Sequence, residues 1–574
     1  MRRLLAQQEE ELRAATAHTE DLETRLLRLK DNKRELIELR ERHAELRRSA
    51  AGRVASFLSA PWRKKKVPEQ IAATAYERWF ERHRASASEI PELRAQAREF
   101  ALAPLVSVLM ASFEGEPAIL REAIASVRAQ VYENWELIIV DDGSTKTGVA
   151  ECLRDAARGD ARIRVFFDEH RGIAATSNSA LSRAHGEWIG LLDHDDLLEP
   201  DAIFRMLETL QRDRDVDVLY SDGDKIVDGH FSEPMLKPDW SPELFESYAY
   251  ISHLVLLRRA KLAGGFRTEC EGAQDYDLLL RIAAEGGRFR HVPRVLHHWR
   301  RSAHSTSDNV RRKAGALEMG RRAVEESVRQ LGQAGRVVVD LKTQAYRVRR
   351  DIGSAKISIL IVDGTEADAE RIAQRTNFSS CEILAGSLAE TLANAVGDYF
   401  LFLAPALEPI DEMWLEALGE IAANSAVGAA SARIVSADDT IESAGLVLGE
   451  GGSILPGFAG CARDDTKVDR RLRVIRNCTA VSASCLLTPR KVFELLGGFD
   501  GKQAWPVCAG VDYCLRSRDA GFRTVVTPYA DLRGRAKSDA RCPELAKRWP
   551  QWFHSDLCYH PNLSRERADF SLGN

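Results

Sequence analysis

The spacing of apolar residues along this chain changes near residue 50 and again near Pro104. Before about residue 50, leucines recur at helical spacing in a run rich in Arg, Glu and Ala,. From Pro104 onward, short continuous apolar runs such as 105–110 and 135–140 alternate with amphipathic stretches. This alternation is typical of an α/β protein in which parallel strands present ligand-binding residues at their carboxyl ends. We therefore expect a helical N-terminal part followed by α/β structure.

The leucine pattern predicts a coiled-coil helix over residues 1–50. Leu22, Leu26, Leu29 and Leu36 form a heptad-like stripe, and the Glu and Arg residues between them can pair along the helix,. A helix of this kind would join copies of the chain into a homo-oligomer. A single solvated helix is the alternative, because the stripe is short and then shifts phase.

Residues 51–103 read as a basic, amphipathic linker. Between Ala51 and Lys66 there are five basic residues and no acid, and Trp62 stands beside the densest cluster. Near an anionic lipid surface each Lys or Arg contributes about 1 kcal/mol of attraction. The segment therefore predicts peripheral contact with the inner face of the plasma membrane. A basic linker that contacts nothing is the alternative.

Bulk composition narrows the class of protein. A hydrophobic content of 44% with 29% charged residues is ordinary for a soluble globular chain,. The net charge of −5 gives no general attraction to nucleic acid, so we expect no nucleic-acid partner,. The ten cysteines lack metal-finger spacing, and no apolar window approaches the ~20 residues of a membrane span,. We therefore expect a cytoplasmic protein with reduced thiols.

Two stretches of the α/β region match each other position by position. Residues 186–196 correspond to 397–407, but the three acids Asp193, Asp195 and Asp196 are replaced by Ala404, Ala406 and Leu407. Gly-Gly-Phe and Asp-Tyr-x-Leu segments recur in the same order, at 264–266 and 275–278 and again at 497–499 and 512–515. Repeats in this order predict a duplicated domain of which only the first copy keeps its acids.

The second copy is shortened in front of its matching stretch. About 35 residues separate Val362 from Gly397, against about 75 between Met110 and Gly186. One or two β/α units are therefore expected to be missing. The predicted organisation comprises a catalytic domain at 104–345, a degenerate non-catalytic domain at 356–545 and a C-terminal tail at 546–574.

The acids at the ends of two apolar runs are the centre of the predicted chemistry. Asp193 and Asp195, followed by Asp196, end one run, and Asp141-Asp142 ends an earlier one. Clustered carboxylates stay ionised at low cost only when a cation lies between them. A hard divalent ion with oxygen ligands also bridges phosphates, so the pattern predicts Mg²⁺ or Mn²⁺ with a nucleotide diphosphate. Solvated loop acids are the alternative.

An ordered series of motifs resembles a known enzyme family. The segments are Val106–Met110, Val140–Ser144, Leu192–Asp196 and Gln274–Asp277. Together, over about residues 104–307, they resemble family 2 of the inverting, nucleotide-sugar-dependent glycosyltransferases with the GT-A fold. The second copy resembles the tandem-domain glycosyltransferases of bacterial O-antigen and capsule assembly. The resemblance implies a Rossmann-like GT-A nucleotide-sugar-binding domain duplicated in tandem, with a shortened and degenerate second copy.

The resemblance also implies roles for individual residues. It implies nucleotide-sugar contacts from Ser112, Asp141, Asp142, Arg171, Asp193 and Asp195. It implies that the divalent metal is held by Asp193, Asp195 and His298. It implies that Asp275 is the general base that deprotonates the acceptor hydroxyl during inversion.

Structural alternatives remain open for four of these residues. Asp142 could serve as a turn residue, Arg171 as a solvated arginine and His298 as a surface histidine. Asp275 could cap the helix that follows it. The sequence match pairs Asp275 with Asp512 of the second copy, which lacks the acids, and this pairing favours a share of capping.

The expected activity is metal-dependent transfer of a sugar from a nucleotide-diphosphate donor to a glycan or lipid-linked acceptor in bacterial surface polysaccharide synthesis. A nucleotidyltransferase is one alternative, but it would carry a basic, Gly-rich loop after the first strand, where Ala111–Pro117 is acidic. A coiled-coil scaffold that organises a polysaccharide-synthesis complex is another. That alternative leaves the intact acids of the first copy without a use.

Overall fold

The computed structural model describes residues 74–301, 310–466, 468–535 and 539–573. The predicted coiled coil at 1–50 and the basic cluster around Trp62 lie outside the described residues. Ala75–Asn574 form one compact unit. Among the residues described, none of the helices has the length and apolar character required to cross a bilayer.

The first module of this unit is built on a nine-stranded mixed sheet. Its strands are β1 (Val106–Ser112), β2 (Trp135–Asp142), β3 (Ile163–Asp168), β4 (Trp188–Leu191), β5 (Leu197–Leu198), β6 (Val218–Val227), β7 (His230–Met235), β8 (Val255–Arg258) and β9 (Phe289–Arg300). Its helices are α1 (Ala75–His83), α2 (Ile90–Arg98), α3 (Pro117–Arg128), α4 (Val149–Gly159), α5 (Ile173–Arg183), α6 (Ala202–Arg212), α7 (Pro242–Ser247), α8 (Gln274–Ala284) and α9 (Val310–Gln330). The strand order is β3-β2-β1-β4-β8-β6-β9-β5, with β7 paired to β6.

Parallel pairing at the centre of this sheet determines where the site lies. Strands β1, β2 and β4 are apolar runs whose residues are almost all buried, which suits strands covered by helices on both faces,. Val106 pairs with Trp135 of β2 and with Trp188 of β4 in parallel register. The carboxyl ends of all three strands therefore meet at one edge of the sheet.

A hairpin connects this sheet to the second module, which is built on another nine-stranded mixed sheet. The hairpin consists of β10 (Arg336–Asp340) and β11 (Ala345–Arg349). The strands of the second sheet are β12 (Ile357–Val362), β13 (Cys381–Gly386), β14 (Tyr399–Leu403), β15 (Glu408–Pro409), β16 (Val427–Val435), β17 (Ile441–Ser443), β20 (Arg476–Cys478), β21 (Cys485–Pro489) and β22 (Arg523–Arg533). A small sheet contains β18 (Leu446–Gly449), β19 (Ser453–Pro456) and β23 (Ala540–Arg541). The helices are α10 (Glu366–Ala373), α11 (Leu388–Asn394), α12 (Trp414–Ala422), α13 (Arg490–Leu495), α14 (Val507–Asp519), α15 (Pro543–Arg548) and α16 (Pro550–His554).

The second sheet follows the order of the first with one strand fewer on the path. Its order is β13-β12-β14-β21-β16-β22-β15, which parallels β2-β1-β4-β8-β6-β9-β5. Within the described ranges no strand stands in the position of β3. A hydrogen bond also recurs: the N–H of Gly186 donates to Ser107 Oγ at 2.7 Å, and that of Gly397 donates to Ser358 Oγ at 2.8 Å. A Cβ at either glycine would lie 2.6 Å from the serine nitrogen, so glycine is required at both positions.

The two modules are joined through Glu243 at the start of α7. Its buried carboxylate accepts hydrogen bonds from Arg523 Nη2 at 2.7 Å, Asn477 Nδ2 at 2.6 Å and Asn424 Nδ2 at 3.1 Å, all from the second module. Burial would raise the pKa of Glu243, but the charge and hydrogen bonds of Arg523 lower it below its ordinary value. The first module thus places a charged group inside the second, and the two are expected to unfold together.

We expect Arg523→Ala to lower the free energy of unfolding by about 3–5 kcal/mol, because it leaves the buried carboxylate of Glu243 without its cation. Arg329→Ala is the matched control. Its exposed pair with Glu326 (69% and 31% exposed side chains) is of the kind that contributes about 0–1 kcal/mol,. Urea titration of both variants measures the difference. Equal effects would show that Glu243 contributes nothing to joining the modules.

The C-terminal segment packs against both modules. The N–H of Asn562 donates to His560 Nδ1 at 3.0 Å, so Nε2 carries the ring proton and donates to Asp222 of β6 at 2.7 Å. Asp222 and His560 have metal-ligand spacing with His291, but the proton on Nε2 makes this group a hydrogen-bonded one,. Cys508 and Cys542 form a disulfide with a Cα–Cα distance of 6.3 Å. The expectation that all thiols are reduced is therefore wrong for this pair.

Candidate active site

Asp141 and Asp142 end β2 and are both hydrogen-bonded to neighbouring loops. Asp141 accepts hydrogen bonds from the N–H of Ser144 at 2.9 Å and from its hydroxyl at 2.7 Å. Asp142 accepts the backbone N–H groups of Arg171 and Gly172 at 2.8 and 3.0 Å. Burial would raise the pKa of Asp142, but these hydrogen bonds lower it below its ordinary value. Asp142 thus fixes the loop before α5, and its contact with a nucleotide stays a prediction.

The edge of the sheet beside Asp141 and Asp142 also carries a serine hydroxyl and a partly exposed phenylalanine ring. The hydroxyl of Ser112 is buried and finds no hydrogen-bond partner among the described residues. Phe113 is 43% exposed and stacks on the ring of His170 with centroids 4.3 Å apart. The Arg171 side chain is 58% exposed and makes a 3.4 Å contact with Asp168. These groups could receive a base and a phosphate.

Asp193, Asp195 and Asp196 follow β4 in an environment that disfavours ionised carboxylates. Asp196 is 1% exposed and accepts hydrogen bonds from His297 Nε2 and from the N–H of Arg300, both at 2.9 Å. Burial raises the pKa of Asp196 to about 6. Burial, followed by the charges of Asp196 and Asp193, also raises the pKa of Asp195 to about 6. A bound cation would relieve this repulsion, so the cluster fits a divalent metal.

His253, which the sequence did not single out, lies between the acids and the candidate base. Its Nδ1 is 3.7 Å from Asp193 Oδ2, and its Nε2 is 3.6 Å from Asp275 Oδ2. Burial would lower the pKa of His253, but the charge of Asp193 and a hydrogen bond with Asp275 raise it to about 9. A positively charged imidazole therefore connects the two carboxylates.

The position of His253 follows from strand register. Strand β8 is antiparallel to β4, and Val255 pairs with Leu191. Continuing this register by two residues places His253 opposite Asp193. The two residues are far apart in sequence, and a single histidine before an apolar run carries no local signal. Only the pairing of β4 with β8 identifies it.

The start of α8 corrects the match between the two copies. Asp277 accepts Arg281 Nε at 2.9 Å, and Arg281 Nη2 donates to the carbonyl of Gly265. Asp512 accepts Arg516 Nε at 2.7 Å, and Arg516 Nη2 donates to the carbonyl of Gly498.

These contacts make Asp512 the counterpart of Asp277, so pairing it with Asp275 is wrong. The same offset places Gly510 at the position of Asp275. The second module therefore lacks the candidate base as well as the acids. The argument that Asp275 shares a capping role with Asp512 is removed, because Asp512 corresponds to Asp277, and both of these carboxylates pair with an arginine one turn later in the helix.

The structure places His298 away from the three acids that follow β4, and its partners are two other acids. Its Nδ1 is 2.6 Å from Asp224 and its Nε2 is 3.0 Å from Glu199, so both nitrogens are occupied. Burial would lower the pKa of His298, but hydrogen bonds with these two acids raise it to about 9. Neighbouring side chains on a strand point to opposite faces, so His297 is the one that faces Asp196. The contacts of His298 therefore contradict its prediction as a metal ligand, and His297 is the histidine that faces Asp196.

His297 completes a set of candidate metal ligands. Burial, followed by the positive charges of His253 and His298, lowers the pKa of His297 well below its ordinary value. Its Nδ1 is buried and has no hydrogen-bond partner in the described part of the chain. Asp196, His253 and His297 bring ligand-type atoms within 4.8 Å of one another, but a protonated His253 has no free lone pair, so Asp196 and His297 are the metal ligands that this group offers. Carboxylate and imidazole ligands together suit Mn²⁺ or another divalent ion.

Known proteins resemble this chain in the region of the site and beyond it. Residues 107–260 match the family model described as Glycosyl transferase family 2, which confirms the family resemblance. The uncharacterized protein y4gI of Sinorhizobium fredii is 33% identical over 557 residues, covering 86% of this chain and 61% of that protein. The O-antigen biosynthesis protein RfbC of Myxococcus xanthus is 29% identical over 530 residues, covering 82% of this chain and 41% of that protein.

The same comparison extends to solved structures. The crystal structure of S. aureus TarS 1-349 in complex with UDP-GlcNAc is 18% identical, with a TM-score of 0.33, and covers 39% of this chain and 70% of that one. This chain spans less than two thirds of the length of both sequence relatives, y4gI and RfbC.

Proposed function

We propose that this chain, which carries a family 2 glycosyltransferase domain at residues 107–260, transfers a sugar with inversion from a nucleotide-diphosphate donor to a glycan or lipid-linked acceptor. One observation carries the proposal. His253 lies within 3.7 Å of Asp193, beside the candidate metal acids, and within 3.6 Å of Asp275, the candidate base. These distances support the proposal that the groups acting at the leaving diphosphate and at the acceptor hydroxyl belong to one site.

On the donor side, Ser112, Asp141, Asp142 and Arg171 would bind the base, ribose and phosphates. Asp193 and Asp195, with Asp196 and His297 behind them, would hold Mg²⁺ or Mn²⁺. The metal, when bound, supplies positive charge that stabilises the departing nucleoside diphosphate.

On the acceptor side, Asp275 would remove the proton of the attacking hydroxyl. Its side chain is 39% exposed, so an acceptor can reach it from solvent. His253 orients this carboxylate toward the site of attack. An inverting transfer requires only one such base, because the acceptor displaces the nucleotide in a single step from the opposite face.

The test is a donor-hydrolysis assay with UDP-, dTDP- and GDP-sugars, with and without Mn²⁺. We expect one donor to release its nucleoside diphosphate at least about a hundredfold faster with Mn²⁺ than in EDTA, since metal stabilisation is worth several kcal/mol. Synthesis of a nucleotide sugar from a nucleoside triphosphate and a sugar phosphate would instead establish the nucleotidyltransferase alternative. No turnover with any donor would favour the scaffold.

The second module is proposed to be a degenerate copy of the first that does not catalyse transfer. Its strand order, the Ser358–Gly397 hydrogen bond and the Asp512–Arg516 pair support common descent. Leu407 is fully buried where an acid stood, and Arg371 of α10 donates to the carbonyl of Pro405 in the corresponding loop. We infer that the described loop at 404–407, which has these groups in place of the acids, does not hold a divalent ion against a diphosphate.

The N-terminal part is proposed to oligomerise the chain and to attach it peripherally at the inner face of the plasma membrane. The chain would act there in bacterial surface polysaccharide synthesis. Deleting residues 1–66 should reduce binding to anionic vesicles or lower the mass measured by light scattering, while donor hydrolysis is retained. Unchanged flotation together with unchanged mass would refute both roles.

A further inference from the structure

The N-terminus of α5 is bound by two carboxylates that come from different parts of the first module. Glu271, in the loop before α8, accepts the N–H of Ile173 with Oε1 at 2.9 Å and that of Ala174 with Oε2 at 3.2 Å. The two N–H groups before these bind Asp142, at the end of β2, at 2.8 and 3.0 Å. Four consecutive N–H groups are therefore divided between the donor side of the candidate site and the loop that leads into α8.

The helix has no side-chain cap of its own. Its N-cap residue is Gly172, with φ +92°, and a Cβ at this position would lie 2.8 Å from Oε1 of Glu271. The first N–H groups of a helix lack partners within the helix, and its positive end attracts a carboxylate. A serine or aspartate at the N-cap could have met this need locally. The partner is instead 98 positions from Ile173 along the chain, so the cap also ties two segments together.

The same loop is held on α5 at a second point. Asn178, in the second turn of the helix, donates from Nδ2 to the carbonyl of Phe266 at 2.7 Å. Its Oδ1 accepts the N–H of Phe266 at 2.8 Å. The loop is thus bound to α5 near its beginning by Asn178 and near its end by Glu271.

The path from Glu271 to the candidate base Asp275 is short and internally bonded. The N–H of Gly272 donates to Oε1 of Gln274 at 2.9 Å, and the Gln274 side chain is buried. The N–H of Ala273 donates to a carbonyl of the preceding 3₁₀ turn at 2.8 Å. Four residues with these bonds leave little slack, so the position of Glu271 sets where α8 begins.

We propose that Glu271 is a positioning residue that fixes Asp275 relative to the loop that receives the donor. The inference rests on the proposed glycosyl transfer and deepens it. The donor loop, held by Asp142, would determine where the anomeric carbon lies, and Asp275 would determine where the attacking hydroxyl lies. Displacement requires the attacking oxygen, the carbon and the leaving group to be aligned, and a misplacement of about 1 Å can lower a rate by about a hundredfold. Glu271 supplies this alignment through the backbone.

The first test is steady-state hydrolysis of the UDP-, dTDP- or GDP-sugar that the donor assay identifies, with water in place of the acceptor. We expect Glu271→Ala to lower kcat at least about tenfold, because Asp275 loses its alignment with the donor. KM for the donor should stay within about threefold, because Asp142 still holds the donor loop. Glu269→Ala is the matched control, since it removes an exposed glutamate two residues earlier in the same loop. An unchanged kcat in Glu271→Ala, or an equal loss in the control, would overturn the proposal.

Glu271→Gln grades the effect without removing the side chain. An amide has one acceptor oxygen where a carboxylate has two, so it can keep one of the two hydrogen bonds to α5. Its kcat should lie between those of the unaltered chain and Glu271→Ala. A glutamine variant no faster than the alanine variant would show that hydrogen bonding to α5 is not what Glu271 contributes.

A double-mutant cycle separates positioning of the base from general support of the fold. If Glu271 acts through Asp275, adding Glu271→Ala to Asp275→Asn should lower the remaining rate by less than about twofold, since the two effects are not additive. A structural role would instead lower the rate by the same factor in both backgrounds. That outcome would refute the positioning role.

Hydrogen exchange followed by mass spectrometry tests the link without any turnover. In Glu271→Ala, peptides covering 171–176 and 270–278 should both exchange at least about threefold faster than in the unaltered chain, since local opening becomes easier at both ends of the link. Glu269→Ala should leave both peptides unchanged. Faster exchange at 171–176 alone would mean that Glu271 caps α5 without fixing α8, and the proposal would fail. If the unaltered chain hydrolyses no donor, the proposed transfer fails, whereas the exchange rates still decide the link.

Discussion

Replacing Asp195 with alanine is expected to lower sugar transfer at least about a thousandfold, which corresponds to a loss of about 4 kcal/mol of transition-state stabilisation. The carboxylate lies at the end of β4, where burial and its neighbours raise its pKa to about 6. This environment indicates a group placed to meet a cation. Without it the metal would be held poorly, and the charge of the departing diphosphate would go uncompensated.

The experiment compares transfer rates and donor binding of Asp195→Ala with those of Asp215→Ala, an acid of the same module with an 80% exposed side chain. Asp215→Ala should retain full activity, and both variants should melt as the unaltered chain does. In Asp195→Ala no saturable donor binding should remain. The second module is not expected to bind the donor instead, because it has Ala406 at the position that corresponds to Asp195. Turnover by the folded variant in the presence of metal would contradict the assignment.

Asp275→Asn is expected to reduce turnover by about 10²–10⁴-fold, the usual contribution of a general base. Donor affinity should stay within twofold, because the carboxylate acts on the acceptor hydroxyl. The amide is nearly isosteric, so the start of α8 should keep its shape. Transfer kinetics together with calorimetry of donor binding separate the two effects.

Asp277→Asn is the matched control in the same helix. Asp277 is buried and pairs with Arg281 at 2.9 Å, as Asp512 does with Arg516 in the second module. Its replacement should lower the melting temperature with a smaller effect on turnover, the reverse of Asp275→Asn. If Asp275→Asn also abolished donor binding, Asp275 would face the donor or maintain the site instead.

Local patterns in the sequence were enough to predict several features. The alternating apolar runs indicated α/β structure, and the run ending at Asp193 and Asp195 indicated where one buried strand stops. The family resemblance rested on the same contiguous segments and is confirmed over residues 107–260. Such features can be predicted from the sequence because a strand, its buried face and the acids at its end are adjacent in the chain.

Features that depend on strand pairing could not be predicted from the sequence. His253 lies beside Asp193 only because β8 pairs antiparallel with β4. The choice between His297 and His298 depends on which face of β9 is turned to Asp196, and adjacent histidines carry no information about that. The pairing of Asp277 with Asp512 required the hydrogen bonds of two arginines, since the sequence motif aligned equally well two residues away.

The sequence by itself determined the kind of sheet, the acids at its strand ends and the absence of such acids from the second copy, because those properties belong to contiguous residues. Only the tertiary structure decided how the copies cooperate. Glu243 is bound by Arg523, and Arg470 lies over Tyr248, although each pair is separated by more than two hundred residues. Contacts of this kind depend on where two sheets pack, and neither hydrophobic period nor motif spacing encodes that placement.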